Sequence, residues 1–131
     1  MRLTEVAIDT RLREEHAVLD ARFDDLCTRA RAGEWQDVDE VWDDFADDLE
    51  AHLAYEEHDL FPLLVEQAPA LVERLVAQHE MIRARLAELG VEIQLHTVRA
   101  RTVEGFVATL REHAQLESEQ LYPWLERRAF A

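Results

Sequence analysis

Two separate stretches of the chain repeat the same combination of polar and apolar residues. The stretch AHLAYEEHDLFP ends at Pro62 and the stretch EHAQLESEQLYP ends at Pro123, and each places a histidine four residues before a glutamate. Residues four apart share one face of a helix, and here that face also carries the apolar residues. A carboxylate buried among apolar side chains is costly without a partner. The chain must therefore fold so that these groups are neutralised.

Apolar residues recur at helical spacing along almost the whole chain. Only three glycines and three prolines occur in 131 residues, so the sequence predicts an all-α fold. The spacing indicates four helices: the first from an N-cap at Asp9 or Thr10 to a stop at Gly33, the second from about Asp37, the third from about Pro69 to Gly90, and the fourth after the LHTV region. Long helices with short connections favour an up-down-up-down four-helix bundle. We expect one domain, residues 1–131.

The helices before the two repeated stretches are also related to each other. His16 corresponds to His79, and the apolar residues around these two histidines correspond at the same offset along the chain. The pattern indicates two copies of one helical hairpin, related by an approximate two-fold axis. Packing alone explains repeated leucines, but it does not require every repeated polar residue to be of a metal-binding type.

Six residues of metal-binding type lie on the predicted apolar faces: His16, His52, Glu56, His79, His113 and Glu117. One such pair alone is more simply explained as a His–Glu hydrogen bond in a core. Four buried imidazoles and two buried carboxylates exceed what a core tolerates, and central cations would satisfy them together. The repeat favours two ions, each with two histidines, bridged by the two glutamates. Nitrogen and oxygen ligands without thiolate suit iron or manganese better than structural zinc.

The order His16, His52-x-x-x-Glu56, His79, His113-x-x-x-Glu117 resembles the hemerythrin-like family, which carries the HHE cation-binding domain. The resemblance covers nearly the whole chain. It implies a four-helix bundle around two non-haem iron ions, with the two glutamates as bridging carboxylates beside an oxo or hydroxo bridge; manganese is the alternative metal. Ferritin-like di-iron bundles use more carboxylates and the spacing Glu-x-x-His, so they fit less well.

One position departs from the oxygen-carrying hemerythrins. Those proteins have a further histidine four residues after the one on the third helix, where this chain has Arg83. By resemblance, its loss leaves a coordination position open on both ions rather than on one. Two adjacent open positions could accept a bridging peroxide or a nitric oxide on each metal, and they favour redox chemistry over storage.

The resulting prediction is a di-iron protein that binds or turns over peroxide, nitric oxide or dioxygen. Such a protein would be similar to catalase-like family members, or to those that act in oxidative or nitrosative stress. Three alternatives remain open: reversible dioxygen storage, a sensor module that responds to iron or oxygen, and an inert bundle with coincidental histidines.

Residues beside the six admit two interpretations each. For Arg83 and Asp20, four residues after the histidines of the third and first helices, a structural ion pair is favoured over a gate for anions. For Tyr122, packing at the edge of the core is favoured over donation to a bound ligand.

Asp59, Gln120 and Glu57 either orient ligands or lie at the solvated surface. Pro62 and Pro123 lack a backbone donor, and we expect them to kink or end their helices just beyond the ligands.

The charge and cysteine counts narrow the classes of partner. With 14 basic and 29 acidic residues, the net charge of −15 disfavours binding to nucleic acid or to an anionic membrane. No apolar run is long enough to span a bilayer. A single cysteine, Cys27, and no leader-like segment predict a cytoplasmic location. We expect a monomer or a weak homodimer whose partner is a small ligand.

Overall fold

The computed structural model describes residues 3–129, and side chains are described for residues 10–128. Within that range the chain is all-helical and contains no strand. The elements are α1 (Leu3–Arg31), α2 (Trp35–Tyr55), a first π-helical turn (Glu56–Leu60), α3 (Phe61–Leu64), α4 (Pro69–Gln94), α5 (Ala100–Leu116), a second π-helical turn (Glu117–Leu121) and α6 (Tyr122–Ala129). Each π turn runs directly into the next helix, so these residues form four rods, consistent with a four-helix bundle.

The rods pack in a small number of pairs. The closest neighbours are α1 with α2, α1 with α6, α4 with α5, and α2 with α4. Among the described helices, none combines the length and apolar content that a membrane span requires.

The ends of α1 agree only in part with the sequence. Gly33 follows the helix with φ of 75°, a left-handed conformation that glycine adopts without strain, so the predicted stop is confirmed. The predicted N-cap at Asp9 or Thr10 is wrong, because α1 already begins at Leu3. The preceding residues include neither glycine nor proline, and an aspartate or threonine inside a helix costs well under about 1 kcal/mol.

The sequence predicted that the third helix ends at Gly90, and this prediction is wrong. The helix α4 continues to Gln94. A Cβ atom at Gly90 would lie 3.2 Å from Cζ2 of Trp42, so this glycine allows α4 to pack closely against that ring. Its role is close packing between helices rather than termination.

The two prolines change the helical hydrogen bonding without ending the rods. The backbone N–H of Phe61 donates to the carbonyl of Glu56, five residues earlier, and the second π turn makes the equivalent bond. Pro62 and Pro123 follow immediately. A wider π turn accommodates a residue that has no N–H to donate, and such turns are frequent at functional sites.

Buried apolar residues form two clusters with a polar layer between them. Along α1, Leu12 belongs to the first cluster and Leu19 to the second, and along α4 the same holds for Leu75 and Ile82. The histidines of both helices lie between these positions. Leu63 lies three residues after the buried Leu60, so regular helical spacing predicts that it is buried too, but it is 42% exposed. It follows the first π turn, where the α-helical phase is lost.

Candidate metal centre

All six residues singled out in the sequence meet in the polar layer. Their ligand atoms form two overlapping groups, each within 4.8 Å: His16, His52, Glu56 and Glu117 in one, and Glu56, His79 and His113 in the other. Five of the six side chains are buried, and only His16 is partly exposed. The structure therefore brings the whole set together, and metal binding by it stays a prediction.

Glu56 lies between the two groups. Its Oε1 is 2.9 Å from Nε2 of His79 and 3.4 Å from Nε2 of His113, whereas its Oε2 is 3.2 Å from Nε2 of His52. The two oxygens of one carboxylate thus face histidines on different sides of the centre.

Glu117 has the same relationship to the two sides. Its Oε1 is 3.2 Å from Nε2 of His16, and its Oε2 is 3.4 Å from Nε2 of His113. Both glutamates therefore have the orientation of a bridge between the pair His16 and His52 and the pair His79 and His113.

Several nitrogen and oxygen atoms at the centre are suited to binding a cation and have no good hydrogen-bond partner among themselves. Oε2 of Glu56, Nε2 of His113 and both carboxylate oxygens of Glu117 are buried yet make no hydrogen bond to any residue in the described part of the chain. Nε2 of His16 and Nε2 of His52 are only 3.0 Å apart. A buried polar atom left unpaired costs about 1–3 kcal/mol. Nitrogen and carboxylate donors that converge in this way suit a metal ion.

Three of the four histidines have a partner at Nδ1, on the outer edge of the ring, and the fourth, His16, has the Tyr122 hydroxyl beside both of its ring nitrogens. The partners are Glu15 for His52 at 2.6 Å, Glu57 for His79 at 2.8 Å, Gln78 for His113 at 2.8 Å and the Tyr122 hydroxyl for His16 at 3.1 Å. An Nδ1–H that donates outward leaves the lone pair of Nε2 directed at the centre. The arrangement is typical of histidines that bind metals.

Two of these partners, Glu15 and Gln78, were missed in the sequence. They immediately precede His16 and His79, so they are separated by the same offset as the two histidines. The repeated offset was the available signal. Each partner reaches a histidine of the neighbouring rod rather than one of its own helix.

For several residues beside the six candidate ligands, the structure decides between the two interpretations left open by the sequence. Glu57 is half-buried and orients His79, as one alternative held. Asp59 and Gln120 are exposed and lie at the solvated edge. Tyr122 is buried in the core and also contacts His16, so packing and contact with the site go together.

The two halves of the centre differ in their outer contacts. The ring of Phe61 packs on His79 with 5.1 Å between centroids, whereas Tyr122, its counterpart in the second repeated stretch, brings a hydroxyl to His16. Glu57 likewise corresponds to Ser118 in the second half. A carboxylate therefore orients His79 and a phenol contacts His16, which makes the two imidazoles unequal as donors.

The two buried carboxylates at the centre favour the positively charged form of the histidines beside them. Burial alone would lower the pKa of His52, but the adjoining carboxylate of Glu56 raises it to about 9. Burial opposes protonation of His113 too, and the carboxylates of Glu117 and Glu56 raise its pKa to about 10. Burial would raise the pKa of Glu56, yet its contacts with Glu117 and the imidazoles hold that pKa well below its ordinary value.

Arg83 forms structural ion pairs, as favoured from the sequence. Its Nη1 donates to Oε2 of Glu57 at 2.6 Å, and its Nε donates to Glu50 at 3.0 Å. These bonds lower the pKa of Glu57, with Arg83 as the main cause. The guanidinium therefore binds the residue that orients His79, rather than facing the centre itself.

A small cavity, the inner chamber, adjoins the centre. It has a volume of about 50 Å³ and is lined by His16, His52 and His113, by Asp20, and by apolar side chains that include Leu110 and Ala114. A cavity needs about 10–15 Å³ of such volume to hold one water molecule, so the chamber suits a ligand of a few heavy atoms.

The sequence matches the family described as hemerythrin HHE cation binding domain over residues 7–125. The match spans nearly all of the described chain and includes all six converging residues. No curated protein and no solved structure matches the chain.

Proposed function

Because the chain belongs to the hemerythrin HHE cation-binding family, we propose that it is a non-haem di-iron protein that binds or turns over peroxide, nitric oxide or dioxygen. An HHE domain implies metal-ion binding, and the cluster of histidines and glutamates fits that role. The observation that carries the proposal is the orientation of Glu56 and Glu117, each with one oxygen toward each pair of histidines.

The proposed ligands divide into two sets. One ion would be held by His16 and His52 and the other by His79 and His113, and Glu56 and Glu117 would contribute a carboxylate oxygen to each side. Iron supplies Lewis acidity and electrons for the chemistry of a small oxidant, and manganese has similar ligand preferences.

The protein contributes orientation and exclusion of water. The outer partners of His52, His79 and His113 orient these imidazoles with Nε2 directed inward, and such partners tune the affinity of the site. The apolar walls of the inner chamber provide a low-polarity volume beside the centre. A neutral ligand can enter that volume without the loss of solvation that an ion would suffer.

The position of Arg83 supports ligand chemistry over storage. At the place where the oxygen carriers have a further histidine, this side chain is bound to Glu50 and Glu57. It supplies no nitrogen with a free lone pair, since a guanidinium does not lose its proton in proteins. The pair His79 and His113 therefore keeps room for an added ligand.

We also infer that residues 1–131 form one up-down-up-down bundle built from two repeated hairpins. Support comes from the pairing of α1 with α2 and of α4 with α5, and from the offset that Glu15 and Gln78 share with the histidines that follow them. A monomer or weak homodimer in the cytoplasm belongs to the same proposal.

Anaerobic loading with ferrous iron, followed by metal analysis, tests the centre. We expect about two irons per chain, as in other di-iron bundles. The variant His113→Ala should lose iron, and the matched control His58→Ala, which changes an exposed histidine, should not. A parent protein that retains no iron would refute the proposal.

Optical spectra with peroxide, nitric oxide and air then separate the functions. Oxygen evolution from peroxide would show turnover, and a stable ferrous nitrosyl spectrum would show binding. A reversible coloured adduct in air would instead favour the storage alternative.

A further inference from the structure

The inner chamber adjoins a larger cavity on the surface. This outer groove lies between α1 and α5, has a volume of about 220 Å³ and is lined by Phe23, Asp24, Val107 and Arg111. Three residues, Asp20, Leu110 and Ala114, line both cavities. We call these three residues the neck, because they are shared by the linings of the groove and the chamber.

We propose that the neck is the route by which a small ligand reaches the centre, and that Asp20 selects neutral molecules over anions there. The inference rests on the proposed function, because it assigns a path and a selectivity to the same site. It commits to neutral ligands of two heavy atoms, such as hydrogen peroxide or nitric oxide.

The size of the chamber supports this choice. A volume of about 50 Å³ suits a molecule of two or three heavy atoms better than a bulky alkyl hydroperoxide. Protein interiors are close-packed, so a larger ligand would have to displace the side chains of the neck.

The charges along the route act in the same direction. Asp20, for which a structural ion pair was favoured from the sequence, forms none with the residues that the structure describes; it is exposed and lines both cavities, and Asp24 adds a second carboxylate to the groove. Arg111 contributes one guanidinium, so these three side chains leave one net negative charge. Apolar walls of low polarity focus the field of such a charge along the path. An anion therefore meets repulsion where a neutral ligand meets none.

A second groove, between α1 and α2, also reaches the site but meets it from the wrong side. It has a volume of about 390 Å³, is lined by Glu15 and Ala51 among others, and shares Leu19 and His52 with the inner chamber. Oε2 of Glu15 lies 2.6 Å from Nδ1 of His52, on the outer edge of the ring. A ligand in this groove meets that hydrogen bond before it meets the inward-facing Nε2, so this groove is the competing route that the experiments below must exclude.

Charge at the neck is tested by comparing two probes on iron-loaded protein. In Asp20→Asn, we expect azide affinity, measured by optical titration, to rise about fivefold at low salt, the effect of one charge at moderate screening. Binding of nitric oxide should not change. The matched control Asp44→Asn removes the same charge from an exposed position on α2 and should leave both unchanged. An equal rise in both variants, or none in Asp20→Asn, would overturn the selectivity.

The path is tested by filling it. Leu110→Phe should slow association of nitric oxide by about tenfold or more, since little space remains at the neck. Ala114→Leu fills the neck from another position and guards against a variant that fails to fold. Ala51→Leu fills the competing groove and should have no effect. Slowing by Ala51→Leu alone would assign the route to the groove between α1 and α2.

A readout without metal keeps the two proposals apart. Xenon binding to the metal-free protein, followed by NMR, should weaken in Leu110→Phe and persist in Ala51→Leu. If the protein retains no iron, the proposed function fails, whatever xenon shows. If iron is retained but neither neck variant changes nitric oxide association or xenon binding, the function stands and the route is wrong.

Discussion

The carboxylate of Glu15 accepts a hydrogen bond from Nδ1 of His52 at 2.6 Å, across the contact between α1 and α2. The next residue, His16, directs its own imidazole to the centre. Consecutive residues of one helix thus supply a candidate ligand and the group that orients a second candidate on another helix. Gln78 and His79 repeat this arrangement on α4. The four rods are therefore linked through the site as well as through the apolar clusters.

Removal of one outer partner should weaken the metal site. In Glu15→Gln we expect iron affinity to fall by about 10–100-fold, because the oriented imidazole loses its anionic acceptor. Competition with a chelator measures the change. The control Glu14→Gln alters an exposed neighbour and should keep the affinity of the parent. Equal affinities in all three proteins would show that the Glu15 hydrogen bond does not support the metal.

Removal of a bridging carboxylate should cost both binding and stability. Glu56→Gln and Glu117→Gln should bind iron more weakly and melt at lower temperature than the loaded parent, because binding free energy adds to folding stability. A ligand at 100 times its Kd stabilises by about 2.7 kcal/mol, which sets the scale of the loss. Calorimetry with and without iron measures it, and Glu119→Gln, at an exposed position, is the control. Unchanged iron affinity in both bridge variants would remove the bridging assignment.

The ion pair at Arg83 should matter less than the residue it holds. In Arg83→Gln, Glu57 keeps its contact with His79 but loses its main cationic partner. We expect iron affinity to fall by about threefold to tenfold, less than in Glu57→Gln, since an ion pair near the surface contributes modestly. Chelator competition compares the two with the control Arg74→Gln, at an exposed position of α4. A larger loss in Arg83→Gln than in Glu57→Gln would indicate that the arginine acts on the centre directly.

Far from the metal site, Glu92 gives a prediction about pH. Its Oε1 accepts the backbone N–H of Arg99 at 2.8 Å, and its Oε2 accepts the hydroxyl of Thr102 at 2.6 Å. Burial would raise the pKa of Glu92, but these hydrogen bonds outweigh it and the pKa lies below the ordinary 4.5. A lowered pKa in the folded protein stabilises it above pH 4.5, and that contribution is lost as the pH falls through the lowered value.

Glu92→Gln should therefore destabilise the metal-free protein by about 1–3 kcal/mol near neutral pH. The difference from the parent should shrink as the pH falls below 4.5. Urea unfolding at several pH values measures it, with Glu88→Gln, at an exposed position one turn earlier, as the control. A difference that stays constant at acidic pH would mean that the charge of Glu92 is not what stabilises the start of α5.

The sequence predicted the part of the structure that depends on regular periodicity. Helical spacing identified the four rods, and the four-residue step from His52 to Glu56 and from His113 to Glu117 placed the converging groups on buried faces. The family assignment is also confirmed. These inferences succeeded because the side-chain direction in a helix follows from position alone.

The remaining features depend on contacts between rods, which one helix's periodicity does not contain. Glu15 and Gln78 lie off the buried stripe of their own helices and act on histidines of neighbouring ones. Gly90 has the residue type of a helix stop, yet the approach of Trp42 gives it another role. Leu63 points toward solvent rather than into the core because a π turn precedes it and rotates the side chains that follow. The misses at Glu15, Gln78 and Gly90 reflect tertiary packing that overrides a local preference, whereas the miss at Leu63 reflects a change in the hydrogen bonding of its own helix.

Both π turns begin at a glutamate of the centre. A π turn contains one more residue than an α-helical turn, so it changes the direction only of the side chains that follow it. The histidine four positions earlier keeps ordinary α-helical register with that glutamate. Everything downstream is turned by about 100° relative to an uninterrupted helix. The rotation of the short helices α3 and α6 about their axes is thus set independently of the donor atoms that precede them. A one-residue deletion within such a turn would rotate the helix that follows it, while sparing the spacing on which the donors depend.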